Sequence, residues 1–100
     1  MTDFSFLEPA QIEFEEAVNY YNGQRPNLGN EFAGEIANTI KRILRYPEAW
    51  RRISKRARRC RTKRFPYSVI YQIRDDRVLI VAIAHDRRKP FYWRDRIKSV

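Results

Sequence analysis

The apolar residues of this chain change their spacing partway along, and that change limits the folds open to it. Ala10, Phe14, Ala17, Val18 and Tyr21 form one stripe at helical spacing, and Leu28, Phe32, Ile36, Ile40, Ile43 and Leu44 form a second. Both read as helices that bury one face. From Arg58 the period becomes two: Arg59, Arg61 and Lys63 alternate with Cys60, Thr62 and Arg64. Tyr67 to Arg74 is rich in β-branched and aromatic residues, and Val78 to Ala84 is apolar on both phases. The first pattern suits a strand; the second suits a central strand covered on both faces. A helical half followed by a strand half predicts an α+β fold.

Local signals set the expected boundaries. Phe4-Ser5-Phe6-Leu7 reads as a short leading strand with Phe4 and Phe6 in phase. Glu8-Pro9 opens the first helix, where proline loses nothing and an acidic residue suits the dipole. Asn22-Gly23 stops that helix, Asn27 or the Gly29-Asn30 turn begins the next, and Pro47 ends it. Ala33, Gly34 and Ala37, beside the second stripe, predict close approach of the first helix. Phe65-Pro66 and Asp75-Asp76 read as turns. Pro90 begins a short last helix or an extended tail. The expected order is β-α-α-β-β-β, a helical hairpin on a small, mainly antiparallel sheet with a possible short C-terminal helix. A length of 100 residues predicts one domain, 1–100, without repeats or linker.

Charge is unevenly divided. Residues 1–40 carry seven acidic residues and one basic, a net of −6; residues 41–100 carry 20 basic and five acidic, a net of +15. Arg51 to Arg64 holds nine Lys/Arg and no acid. Such a run repels itself, so it predicts a polyanionic partner: nucleic acid or an acidic protein segment. The glutamates of the helical half read as solvated surface. No apolar run approaches the roughly 20 residues that a membrane span needs. The start, Met1-Thr2-Asp3-Phe4, does not resemble a signal peptide, and one cysteine, Cys60, forms no internal disulfide. A cytoplasmic location is the expectation, with no membrane partner.

Most catalytic constellations are excluded by supply. Three scattered glycines make no phosphate loop, and one histidine with one cysteine makes no metal cluster, so neither metal nor cofactor is expected. The remaining concentration is "AIAHDRRKPFYWRDR", residues 82–96. RNA cleavage needs a base, an acid and cations for the phosphorane. His85, Arg87 and Tyr92 are the candidates for that chemistry. Arg59, Arg61, Lys63, Arg64, Arg88, Trp93 and Arg94 are candidates for holding nucleic acid or a protein partner. The alternative reading is structural: His85 bonding the backbone, Tyr67, Tyr71, Tyr92 and Trp93 in the core or at its edge, and the arginines as a docking face.

Three stretches, "FEEAVNYYN", "RFPYSVIYQI" and "VAIAHDRRKPFYWRDR", resemble the RelE/ParE superfamily of toxins from type II toxin–antitoxin modules. The resemblance spans nearly the whole chain. It implies neutralisation by a cognate antitoxin with an acidic segment that folds on binding. It also implies one of two targets: mRNA on the ribosome, cut by RelE-like members, or DNA gyrase, inhibited by ParE-like members. Two alternating strand lysines of the nucleases are matched by Arg59 and Arg61, and a later arginine by Arg87. Their late aromatic hydroxyl is matched by Tyr92 or displaced to Trp93. Ser68 stands where those nucleases place an arginine, and His85 lies earlier than the C-terminal histidine of other members. The partial set favours gyrase as target, with the mRNA endonuclease as the alternative. A non-catalytic nucleic-acid-binding module remains a third reading.

Overall fold

In the computed structural model, residues 1 and 3–97 are described. β1 (Phe4–Phe6) leads into α1 (Glu8–Gln24) and α2 (Leu28–Arg45); β2 (Arg51–Arg52), β3 (Arg58–Arg61), β4 (Tyr67–Arg74) and β5 (Arg77–His85) follow. A 3₁₀ turn, Arg94–Ile97, comes last among the described residues. The five strands lie in the order β1-β5-β4-β3-β2; only β1 pairs in parallel. The α+β architecture is the one the change of period predicts. β2 is an addition, since two consecutive arginines carry no periodic signal.

Pro9 occupies the first turn of α1, as expected, and the Arg25 N–H closes its last turn on Tyr21 O at 3.1 Å. The helices meet at a glycine other than the expected one. A Cβ on Gly29 would collide with Val18 O and lie 2.6 Å from the Asn22 side chain, whereas one on Gly34 would meet nothing within 4 Å. The Gly29 N–H donates to Asn22 Oδ1 at 2.7 Å, which locks the crossing. Gly34 lies off the contact, while Ala33 and Ala37 line an apolar groove with Gln11 and Phe14 of α1. Asn27 takes the left-handed conformation the turn requires, φ 71°.

The sheet has two cores. Phe32, Ile36, Ile40 and Ile43 of α2 pack with Cys60, Val69, Tyr71, Val78, Ile80 and Ile83 on the helix side. On the other side Ala57, Ile70, Val81 and Ala82 pack with Trp93 and Ile97. β5 is an interior strand between β1 and β4, covered on both faces as its apolar run predicts. The two cores share it through a bulge: Ile70 pairs with Ala82 and Tyr71 with Ile80, so Val81 is the extra residue. The bulge puts Val81 and Ala82 on one side in succession. Asp75 (φ 51°) and Asp76 (φ 62°) close the β4–β5 hairpin, with the two positive φ values of a type I′ turn.

The tyrosines of the helix-side core make stability pH-dependent. The Tyr71 hydroxyl donates to Pro47 O at 2.6 Å. Burial pushes Tyr71 up to about 12, and burial assisted by Tyr21, Tyr20 and Glu13 pushes Tyr67 up to about 12. Both folded values lie above the ordinary 10 of an unfolded tyrosine, so their contribution is complete below pH 10 and lost as pH rises toward 12. Each tyrosine then removes about 1.4 kcal/mol per pH unit. Alkaline unfolding followed by circular dichroism should coincide with a steep tyrosinate absorbance step in that window; ionisation of all six tyrosines before the circular-dichroism transition would contradict it.

Candidate functional site

Strand alternation sorts the basic residues by face. Cys60 opposes Val69 on the helix side, so Arg59, opposite Ile70, and Arg61, opposite Ser68, share the other side with Trp93. On that side Arg61 forms a bidentate ion pair with Asp86, at 2.9 and 2.8 Å, which holds its guanidinium above its ordinary pKa. Ser68 is buried, at 4 % exposure. The Lys63 backbone N–H donates to Glu35 Oε2 at 2.7 Å. Arg64 pairs with Glu31 at 2.7 Å and lies over the Phe65 ring. That hydrogen bond, with Arg25 adding its charge, holds the Glu31 carboxyl below the usual range.

His85 ends β5 opposite Tyr67, whose ring it meets edge-on at 5.0 Å. Its Nδ1 accepts the Arg87 backbone N–H at 3.0 Å. An Nδ1 that accepts leaves Nε2 as the N–H donor of the ring. The pocket beside His85, about 230 Å³, is lined by Glu13, Glu16, Tyr20, Tyr67 and Arg88 among others. Arg87 and Tyr92 do not line it. Two carboxylates in such a pocket oppose a phosphodiester.

The C-terminal segment is tied down by a residue the sequence reading placed on the solvated surface. Glu13 accepts the Tyr92 O–H at 2.7 Å, both Arg96 Nη groups at 2.9 and 3.0 Å, and the Ile83 backbone N–H at 3.0 Å. Arg96 also donates to Val81 O at 2.9 Å. Burial, then the bond to Glu13, pushes the Tyr92 hydroxyl well above its ordinary pKa, and Glu13 raises Arg96. Glu13 lies three residues after Ala10 and four before Ala17, both buried, so its place on the inner face of α1 was there in the spacing. Charge alone hid it. Glu31 and Glu35 are likewise partners of the basic half rather than bare surface.

The remaining candidates divide by exposure. Trp93 is 4 % exposed and packed in the second core, so its ring faces no partner. Arg88 lies 3.8 Å over the Tyr92 ring, and Arg94 lies over Phe91. The side chains of Arg59 and Arg87 have no ion pair among the described residues, and Arg87 is exposed.

A helical hairpin on a five-stranded, mostly antiparallel sheet, with a basic sheet face, defines the class: a small toxin domain of the ParE/RelE type. The chain is similar in fold to a structure of the "Chromosomal ParDE TA system from P. aeruginosa". The match has a TM-score of 0.73 at 16 % identity and covers 85 % of this chain and 96 % of that one. The family described as "ParE toxin of type II toxin-antitoxin system, parDE" matches residues 4–90, and the chain belongs to it. No curated sequence gives a significant match. Among the described residues no helix is long and apolar enough to cross a membrane.

Proposed function

We propose that the protein inhibits growth by acting on DNA gyrase in the cytoplasm, and that a cognate antitoxin neutralises it through an acidic segment that folds on the toxin. The net charge of +15 over residues 41–100 complements such a segment. What supports gyrase over mRNA is the internal satisfaction of the groups a nuclease would use. Arg61 is closed by Asp86, the Tyr92 hydroxyl donates to Glu13, and His85 Nδ1 is occupied by the Arg87 N–H. Ser68 is buried where the nucleases carry an arginine.

Two assays separate the readings. Supercoiling of relaxed plasmid by purified gyrase should be blocked by the toxin, while mRNA in a ribosome-containing extract stays intact. His85→Ala and Arg87→Ala should each retain inhibition to within a few fold, because surface contacts contribute in small amounts. Antitoxin co-expression should restore growth. Specific mRNA cleavage, lost by about 10²–10⁴ on Arg87→Ala, would replace gyrase with the nuclease reading.

A further inference from the structure

The β2–β3 ribbon sets like charges face to face. Arg51 lies opposite Arg59, and Arg52 opposite Arg58. Directly opposed like charges destabilise a ladder, and this one is two residues long at the sheet edge. The second pair is relieved by backbone carbonyls. Arg58 Nη1 donates to Glu48 O and Trp50 O, each at 2.9 Å, and Arg52 Nη1 donates to Lys55 O at 3.4 Å. The first pair has no such relief: neither guanidinium has a hydrogen bond or ion pair among the described residues. Both line a groove of about 380 Å³ that also meets Ile70, Phe91 and Trp93. Phe91, 42 % exposed and at φ 60°, a conformation bulky residues seldom take, lines the same groove, and Arg94 lies over its ring at 5.0 Å, leaving the opposite face for a ligand.

We propose that Arg51 and Arg59 form a phosphate-binding site for a nucleic-acid strand, with Phe91 as the ring on which a neighbouring base stacks. Two adjacent guanidinium forks can bracket one phosphate with bidentate hydrogen bonds, and the bound anion turns their repulsion into attraction. The ring is what favours nucleic acid over an acidic peptide. A nucleotide offers a flat π face beside each charge, whereas glutamate and aspartate offer charge alone. The sequence reading included Arg59 but gave the stacking role to Tyr92 or Trp93; the first is tied to Glu13 and the second is buried. This site is independent of the gyrase reading, because binding and supercoiling are measured separately.

The test uses the full chain and a short fluorescein-labelled oligothymidine, read by anisotropy over a salt series. Arg51→Gln/Arg59→Gln should weaken binding at least about tenfold and reduce the salt slope by about 0.7, the value for one phosphate contact on a single strand. The same variant should melt about 1–5 °C higher than the parent, because the opposed charges are gone. Phe91→Ala should weaken binding about fivefold or more with the salt slope unchanged. Arg77→Gln, at the start of β5, should stay within about twofold as a control for net charge. Three results would overturn the proposal. One is double-variant binding within about twofold of the parent. Another is a lower melting temperature for that variant, which would make the pair structural. The third is poly-glutamate of matched charge binding at least as tightly as the oligonucleotide.

Discussion

Val81→Asp is expected to leave no soluble, cooperatively melting protein. Val81 is fully buried, packed with Ile70, Trp93 and Ile97 on the side of the sheet away from the helices. Losing the burial of a valine side chain costs about 1.5–3 kcal/mol. The carboxylate adds several more unless a cation meets it or it protonates. Arg96, whose Nη1 reaches Val81 O, has both Nη groups committed to Glu13. A domain of this size holds about 5–15 kcal/mol of stability, so the sum consumes most or all of it. Thermal denaturation with Val81→Ala as a folded companion checks this. A Val81→Asp protein that stays soluble and melts cooperatively near the parent would show that the bulge at this position is not buried as described.

Glu13→Ala should lower the melting temperature by roughly 15–25 °C. One carboxylate serves three donors from distant parts of the chain: the Ile83 N–H, the Tyr92 O–H and the Arg96 guanidinium. The Glu13 and Arg96 side chains are 13 % and 18 % exposed, so water replaces little of what is removed. Removing one partner of a buried, hydrogen-bonded charge pair costs about 3–5 kcal/mol, because the other partner stays behind unpaired. Glu16, three residues along and exposed, supplies the contrast: Glu16→Ala should change stability by less than about 0.5 kcal/mol. Calorimetry at neutral pH decides it, and a Glu13→Ala melt within about 2 °C of the parent would show that the C-terminal segment is held by packing alone.

What the sequence determined by itself were the features that depend on neighbours a few residues away. The change of period separates helices from strands, Pro9 and Pro47 bracket the hairpin, and Asp75-Asp76 makes the β4–β5 turn. The double-sided apolar run of β5 reports its interior place, because a strand covered on both faces must be apolar on both. The tertiary structure alone decided which charges are free. Arg61 meets Asp86 across 25 residues, Arg64 meets Glu31 across 33, and Arg96 meets Glu13 across 83. Arg61 and Arg59 look alike along the chain, yet one is closed by an ion pair and the other left to face Arg51. Glu13 and Glu16 are equally acidic, yet only Glu13 lies on the inner face of α1 beneath the C-terminal segment. Composition and period describe each element alone, whereas the partner of a charged side chain is set by which elements pack together, and so is its availability for function.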